Sequence, residues 1–242
     1  MPRFPWAELD PSANLRGLAG PALYSEPLVL LYDPGRVAPP SRWTALWERT
    51  PGRSIALPSP PDPIGIGFAI TAARLVGARE GTPSLDAGFD AIAQLTPNVA
   101  SWHPRPDVYR FISDGNASFG AGWNFPARVH AARLNGHLAM TIPEDGTVSR
   151  VTTINLVRGG PAADTARQFI GWLLGGVAQN LMLEKLFLRP VNIRASYPPA
   201  ALARTVSTGE RNSPAMAIDW LWAASMREDI EARWRAIQRG QG

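Results

Sequence analysis

Apolar and polar residues follow one another in short blocks through the first two thirds of the chain. Apolar runs that are typical of strands lie at residues 28–32, 53–57, 98–102, 118–123 and 137–142. The segments between them favour helices, and in residues 84–95 the apolar positions repeat at helical spacing. This βα alternation predicts a largely parallel sheet with helices on both faces.

The pattern changes after residue 150. Residues 151–157 have the composition of one more strand, and the rest of the chain is predicted to be helical. The predicted helices cover residues 161–174, 177–186 and 215–237, with a loop at 198–214. The last of them carries an apolar stripe through Ile218, Leu221, Trp222, Met226, Ile230 and Trp234. We therefore expect a separate helical block at the carboxyl end of the chain.

A strand of small residues at 118–123 is the most informative segment. It is flat enough to be covered on both faces, and it leads directly into Trp123 and Asn124. Asn124 is placed to cap a new helix that begins with Phe125 and Pro126. Because open α/β proteins bind ligands beyond the carboxyl ends of their strands, we expect the indole of Trp123 to be exposed there.

If the strands are parallel, the polar and aromatic residues that follow them meet at one edge of the sheet. These residues are Asp62, Trp102, His103, Trp123, Asn124 and Glu144. Aromatic faces attract ammonium groups and carboxylates pair with them, so this set of side chains suits a small cationic ligand. We predict that Asp62, Trp102, Trp123, Asn124 and Glu144 bind the ligand.

Each of these residues also has a purely structural interpretation. Asp62 and Asn124 would then be helix caps, and Trp102 would belong to the core. Glu144 lies in a Pro-Glu-Asp-Gly turn, where a solvated side chain is common. Trp123 is open to both interpretations, because the neighbouring glycines leave room beside its ring.

Composition narrows the function classes. The chain has 242 residues, 45% of them hydrophobic, which is ample for a packed core, and it has no cysteine for a disulfide or a thiolate metal site. The net charge of +4 comes almost entirely from arginines that are scattered or interleaved with acids, so we expect no nucleic-acid partner. Residues 1–20 lack the features of a secretory signal, and residues 169–183 are too short an apolar segment to cross a bilayer.

Enzyme motifs are weak. The Gly65-Ile66-Gly67 sequence begins like a dinucleotide-binding motif, but Ile70 occupies the third glycine position. The sequence shows neither a nucleophile elbow nor a zinc-protease helix, and its three histidines fall in different predicted elements. We therefore expect no catalytic residue, no metal site and no cofactor.

The order and spacing of several segments resemble the solute-binding proteins of ABC importers. The resemblance is to the bilobal class that captures polyamines, ferric iron, thiamine or aminophosphonates. Residues 41–47 and 52–58 resemble the helix and strand with which that family enters its second lobe. Residues 114–124 resemble its ligand-facing strand, and residues 142–147 resemble the turn before the return crossover. Residues 154–192 resemble the hinge strand, the helices that return to the first lobe and the segment after them.

This resemblance implies an α/β fold like that of type II periplasmic binding proteins, with one complete βα lobe and a truncated, mainly helical remnant of the other. We expect residues 1–27 to be a remnant of the first lobe and the crossover, residues 28–155 to form the complete second lobe, and residues 156–242 to return to the first. The family normally begins with an export signal and first-lobe βα units, which this interpretation finds missing. An incomplete first lobe would invite self-association.

The same resemblance implies a periplasmic subunit that captures a small solute in a cleft between its lobes and delivers it to the permease subunits of an ABC transporter. The acidic and aromatic rim favours a polyamine-like amine. Within the family, the alternative is an anionic or ferric solute bound by helix N-termini, including the one at Pro63. Outside it, the alternatives are a truncated interaction module or an enzyme on the same fold.

Overall fold

The computed structural model describes residues 5–10, 20–48, 54–80, 84–134, 136–205 and 216–240. The strands are β1 Ala22–Tyr32, β2 Ile55–Ala56, β3 Val99–Ser101, β4 Phe119–Trp123, β5 Ala139–Thr141, β6 Val148–Thr153, β7 Arg189–Pro190 and β8 Met216–Ala217. The α-helices are α1 Pro63–Glu80, α2 Leu85–Leu95, α3 Val108–Ser113, α4 Asn124–Arg133, α5 Ala163–Leu173, α6 Gly176–Leu186, α7 Pro199–Leu202, α8 Trp220–Ser225 and α9 Arg227–Arg239. The predicted segments at 1–20, 53–57, 198–214 and 215–237 lie partly outside the described residues.

The chain divides into two compact units. Unit 1 comprises Met1–Glu26 and Arg150–Val206, and unit 2 comprises Pro27–Ser149 and Ser207–Gly242. Strands β1 and β6 each run from one unit into the other. The sequence-based division instead assigned the terminal helix to the first lobe together with the rest of residues 156–242. The correspondence between these units and the two lobes stays a prediction.

Three strands of unit 2 have the parallel arrangement that the βα pattern predicts. β2 lies between β3 and β4 and is parallel to both. Parallel neighbours need a crossover connection, which α1 and α2 supply between β2 and β3 and α3 supplies between β3 and β4. β1 is antiparallel to β4, with Leu28 opposite Trp123, and β5 is antiparallel to β1. The prediction of a largely parallel sheet is therefore right for β2, β3 and β4 and wrong for β1, which enters from unit 1.

Helices cover this sheet closely because small residues let them approach. Ser84 caps α2 by accepting a hydrogen bond from the backbone N–H of Ala87. On α2, a Cβ added at Gly88 would lie 2.7 Å from the backbone nitrogen of Ala73 on α1, so the two helices touch at that point. On β4, a Cβ at Gly120 would lie 2.8 Å from the side chain of Ile112 on α3. The small residues of β4 are thus explained by the helix that lies on them.

The terminal helix is broken and belongs to unit 2. The predicted continuous helix ends at Ser225 and resumes as α9, on which Trp234 is buried. The Trp234 ring meets the rings of Trp102 and Phe89 edge to face, at centroid distances of 5.2 and 6.1 Å. The predicted apolar stripe is therefore only partly buried: Ile218, Ile230 and Trp234 are buried, whereas Leu221 and Trp222 are 60% and 41% exposed.

Unit 1 contains α5, α6 and α7 together with the first half of β1. Tyr24 and Ser25 of β1 pair with β7, a two-residue strand that the sequence pattern did not predict. Gln179 on α6 is fully buried, and its amide donates to the carbonyl oxygens of Leu23 and Leu173 and accepts from the N–H of Val191. One side chain thus ties together three separate parts of this unit.

Candidate functional site

A pocket of about 440 Å³ opens in unit 2 where the chain leaves β2 and β3. One wall is the loop that leads from β2 into α1, and the other is the loop that leads from β3 into α3. The polar and aromatic residues that line it include Ser59, Asp62, Trp102, His103, Asp107 and Tyr109. The pocket lies at the carboxyl ends of two adjacent parallel strands, which is where ligands bind in open α/β sheets.

Backbone hydrogen bonds continue past the ends of the two strands and hold the loops side by side. The N–H of Leu57 donates to the carbonyl oxygen of Ser101 at 3.0 Å, and that of Ser59 donates to the carbonyl oxygen of Trp102 at 2.9 Å. The loop then turns, and the N–H of Asp62 donates back to the carbonyl oxygen of Ser59. The positions of Asp62 and Trp102 are therefore set by the adjacency of β2 and β3.

Both pocket carboxylates cap helices with one oxygen. Oδ1 of Asp62 accepts from the N–H of Ile64 at 2.8 Å, and Oδ1 of Asp107 accepts from the N–H of Arg110 at 2.8 Å. The structural interpretation of Asp62 as a helix cap is thus correct for Oδ1.

The aromatic residues of the pocket are anchored from behind. Trp102 is only 6% exposed and packs against Trp234, so it belongs mainly to the core as well as to the pocket lining. Tyr109 stacks on His130, with ring centroids 5.0 Å apart. Its hydroxyl accepts from the N–H of Trp123 at 2.9 Å and donates to the carbonyl oxygen of Trp123. The end of β4 is therefore linked to the pocket by Tyr109.

Trp123 is not exposed, which corrects the sequence-based expectation. Its side chain is 3% exposed and lies on α1, where a Cβ added at Gly67 would stand 3.2 Å from Cη2 of the indole. The room that the sequence suggested for a ligand is thus taken up by a glycine face of a helix and by Ile218, which lies near the same point. Trp123 is not among the residues that line the pocket.

Asn124 is fully buried and is the first residue of α4, whereas the sequence predicted it as the cap. The N-cap position is held by Trp123, which makes no side-chain capping bond. Oδ1 of Asn124 instead accepts from Nε of Arg128 at 3.1 Å, one turn along the helix. Like Trp123, it is absent from the lining of the pocket.

Glu144 is exposed, lies in the turn after β5 and does not line the pocket. Its N–H donates to the carbonyl oxygen of Ser41, and the neighbouring Asp145 accepts from the N–H of Trp43. Burial raises the pKa of Asp145, against the opposing effect of the hydrogen bond from Trp43. This turn follows β5, which pairs with β1, whereas the pocket lies beyond β2 and β3. Glu144 is not among the residues that line the pocket, and its predicted role beside Asp62 stays a prediction.

Residues that the sequence analysis did not select complete the site. Ser59, Asp107 and Tyr109 line the pocket, and Arg105 adds a positive charge to it. Asp107 follows the predicted third strand and begins a helix, which is the same signal that identified Asp62, and it could have been found in that way. Ser59 lies in a loop and Tyr109 on α3, and neither carries such a signal, because their positions at the pocket depend on tertiary packing.

The described residues hold no group of three or more His, Asp or Glu side chains that could bind a metal ion. Within the same part of the chain, no helix has both the length and the apolar character that crossing a membrane requires. The pocket lining offers two carboxylates, a serine hydroxyl and aromatic rings as recognition groups.

Comparison with known families identifies the chain. The model for a family described as bacterial extracellular solute-binding protein matches residues 13–185, well over half of the sequence. The chain belongs to this family. Membership implies a small-molecule solute and the permease subunits of an ABC transporter as partners. A comparison with curated protein sequences gave no match.

Solved structures show the same fold for this solute-binding protein. An ABC transporter structure from Clostridium perfringens has a TM-score of 0.73 at 22% identity, with 96% of this chain and 73% of that chain covered. The periplasmic binding protein AfuA from Actinobacillus pleuropneumoniae, with fructose-6-phosphate bound, has a TM-score of 0.69 at 18% identity and covers 94% and 72%. The spermidine/putrescine substrate-binding protein PotD from Streptococcus pneumoniae has a TM-score of 0.70 at 14% identity and covers 98% and 75%. The predicted periplasmic-binding-protein fold is confirmed.

Proposed function

We propose that this solute-binding protein captures a small amine, such as a polyamine, in the periplasm for an ABC importer and catalyses no reaction. The observation that carries the proposal is the pairing of two carboxylates with two aromatic rings in one pocket, namely Asp62 and Asp107 with Trp102 and Tyr109. Carboxylates pair with ammonium groups by charge-assisted hydrogen bonds, and aromatic rings attract them as well. A volume of about 440 Å³ lies within the range of small-molecule sites.

Two of the five predicted site residues, Asp62 and Trp102, enter this proposal as ligand contacts. Asp62 would supply Oδ2 to an ammonium group, while Trp102 would supply part of an apolar wall for the methylene groups of the solute. The roles of Trp123, Asn124 and Glu144 in binding stay predictions. A spermidine/putrescine-binding protein among the structural neighbours is in keeping with an amine, but neighbours of the same fold bind other solutes.

An anionic solute is the second candidate, and a specific observation favours it. Arg105 lines the pocket, and α1, a helix of 18 residues, begins at Pro63 directly beside it. A helix N-terminus carries a partial positive charge that attracts anions. The negative charge of Asp62 at the same helix end opposes an anion, so the amine is the better-supported solute.

A thermal-shift panel tests the two candidates against each other. The panel holds putrescine, spermidine, an aminophosphonate, phosphate and ferric citrate. A solute at a hundredfold its Kd adds about 2.7 kcal/mol to the stability of the folded protein. For a chain of this length, that corresponds to a rise in Tm of about 5 to 10 °C. If both polyamines leave Tm unchanged while phosphate or ferric citrate raises it, the amine proposal fails and the anion proposal stands.

Variants of the two carboxylates separate charge from structure. Asn caps helices about as well as Asp, so Asp62→Asn and Asp107→Asn keep α1 and α3 capped while removing the charge. We expect each variant to weaken amine binding about tenfold or more, because hydrogen bonds to charged groups contribute about 1.5–3 kcal/mol. Asp90→Asn, at an exposed position on α2, is the matched control and should bind as the wild type does. Equal affinity in all three variants would exclude this pocket as the amine site.

A further inference from the structure

The terminal helix α9 contacts both loops of the pocket. Trp234 meets the ring of Trp102, in the loop after β3, edge to face at a centroid distance of 5.2 Å. One turn further along α9, Nε2 of Gln238 donates to Oγ of Ser59, in the loop after β2, at 3.0 Å. Residues four apart lie on one face of a helix and about 6 Å apart along its axis, close to the spacing of about 4.8 Å between neighbouring strands. One face of α9 therefore matches the two adjacent loops.

Contacts with α2 fix the position of α9. The Trp234 ring also meets the ring of Phe89 on α2 edge to face, with centroids 6.1 Å apart. The preceding residue, Arg233, forms an ion pair with Asp86 of α2, and its guanidinium lies 5.7 Å from the centroid of the Phe89 ring. These contacts attach α9 to the body of unit 2, so the helix meets the pocket loops from a fixed position.

Trp234 contributes a ring rather than a hydrogen bond to this arrangement. Its side chain is 1% exposed, and its Nε1 has no hydrogen-bond partner within the part of the chain that the structure describes. A buried indole usually finds a partner for its N–H. What Trp234 supplies at this position is therefore the volume and the shape of its ring. That ring packs against Trp102, which itself lines the pocket.

We propose that Trp234 is a positioning residue of the solute pocket, which holds the ring of Trp102 in one orientation although it does not itself line the pocket. This inference rests on the proposed amine function, in which Trp102 forms a wall for the methylene groups of the solute. A side chain that is already immobile has no rotamer freedom to lose when the solute binds. Solute affinity therefore depends on a helix that lies outside the pocket lining.

Titration calorimetry with spermidine tests this dependence. Trp234→Phe replaces the indole by a smaller ring, and we expect it to weaken binding about three- to tenfold, the range that corresponds to one aromatic pair. Trp43→Phe is the matched control, because Trp43 is fully buried in the same core but does not line the pocket. The control also loses the hydrogen bond to Gly146, yet it should keep the wild-type Kd. Equal weakening in the two variants would mean that general destabilisation is the cause, and the inference would fail.

A double-mutant cycle shows whether Trp234 acts through Trp102. Residues that act as a unit have non-additive effects. We expect Trp234→Phe to change the Kd for spermidine by less than about twofold once Trp102→Leu has removed the indole wall. Effects of the two substitutions that simply multiply would contradict the positioning role.

Fluorine NMR tests the positioning without any solute. The chain has nine tryptophans, and in protein labelled with 5-fluorotryptophan the Trp102 signal is the one that Trp102→Leu removes. We expect one narrow Trp102 signal in the wild type and in Trp43→Phe, and a broadened or doubled signal in Trp234→Phe, where the ring exchanges between rotamers. A single narrow signal in Trp234→Phe overturns the inference. If the wild type binds neither spermidine nor putrescine, the amine function itself fails, and the fluorine spectra alone decide the role of Trp234.

Discussion

Unit 1 and unit 2 of this solute-binding protein are each stabilised by a different kind of internal interaction. Unit 2 contains a large continuous apolar core in which sheet, helices and the terminal segment all take part. Unit 1 has a small apolar cluster, whose buried members are Leu9, Ala22, Ile170, Leu174 and Val191. Apolar burial is the main source of folding free energy, so unit 1 must rely more heavily on other interactions.

Buried amides supply those interactions in unit 1. Besides Gln179, the side chain of Asn192 is 2% exposed, and its Nδ2 donates to the carbonyl oxygen of Leu174 and to Oε2 of Glu8. Its Oδ1 accepts from two backbone N–H groups in the turn that follows. Removing one partner of a buried hydrogen bond lowers stability, because the remaining polar group is then buried without a hydrogen bond. Unit 1 should therefore be sensitive to polar substitutions, whereas unit 2 should be sensitive to cavities.

The largest effect is expected at Trp43 in unit 2. Trp43 is fully buried, packs on Phe68 at a centroid distance of 5.6 Å, and donates from Nε1 to the carbonyl oxygen of Gly146. Trp43→Ala creates a cavity and removes that bond, and we expect it to lower the free energy of unfolding by about 3–5 kcal/mol. Urea unfolding followed by circular dichroism measures the change. Trp222→Ala, at a residue 41% exposed, is the control and should cost about 0.5 kcal/mol or less.

A polar substitution in unit 1 is the counterpart. Gln179→Leu keeps roughly the volume of the side chain but removes the partners of Leu23, Leu173 and Val191. We expect a loss of about 2–3 kcal/mol or more, because each buried group left without a partner costs about 1–3 kcal/mol. The same urea experiment measures it. Gln94→Leu, at an exposed position on α2, is the matched control, and an equal cost in both variants would contradict the contrast between the units.

The same contrast explains which parts of the fold the sequence could predict. In unit 2, local signals and tertiary structure agree: Ser84 caps α2, and the βα alternation produces the parallel set β2, β3 and β4. In unit 1, Gln179 looked like an ordinary helical residue, although it organises the unit. Its partners lie up to 156 residues away, and no local pattern contains that information.

The sequence predicts the part of the candidate site that depends on adjacent strands. Asp62 and Trp102 follow adjacent strands and do line one pocket. Glu144 was placed with them because it also follows a strand, but hydrophobic pattern does not reveal that β5 pairs with β1. Trp123 is predicted to be exposed because it ends a strand, yet the space beside its ring is filled by Gly67 of α1. A sequence pattern shows that space exists beside a residue, and only the packing shows what fills it.

Alkaline pH should weaken unit 1 through Tyr197. Burial raises the pKa of Tyr197 from 10.0 to about 12, and its hydroxyl donates to the carbonyl oxygen of Asn192 at 2.8 Å. Because the folded state keeps the proton to higher pH than the unfolded chain does, the stabilisation is complete below pH 10 and is lost as pH rises towards 12. Urea unfolding of the wild type and Tyr197→Phe across this range measures the effect. The variant should lose about 1 kcal/mol at neutral pH and show a smaller decline in alkali; a decline of equal size in both would exclude Tyr197 as its cause.

The smallest effect on stability is expected on the exposed face of α5 and α6, which bears on the predicted self-association. Phe169 and Trp172 are each more than half exposed and stack on one another with centroids 6.1 Å apart, and Val177 on α6 is 73% exposed. Exposed apolar side chains in such number are typical of interaction surfaces. A double variant, Phe169→Ser with Trp172→Ser, should change the free energy of unfolding by about 0.5 kcal/mol or less, since neither ring is buried.

Association is the property that this double variant should alter. The charges on the two helices cancel, since they carry Asp164, Arg167, Glu184 and Lys185. Although the whole chain has a net positive charge, two copies of this face would therefore not repel one another. Sedimentation velocity over a range of concentrations should show the wild type self-associating and the double variant remaining monomeric. A wild type that stays monomeric throughout contradicts the predicted self-association. A double variant that associates as strongly as the wild type would show that another surface makes the contact. In that case the exposed face of α5 and α6 does not account for the self-association.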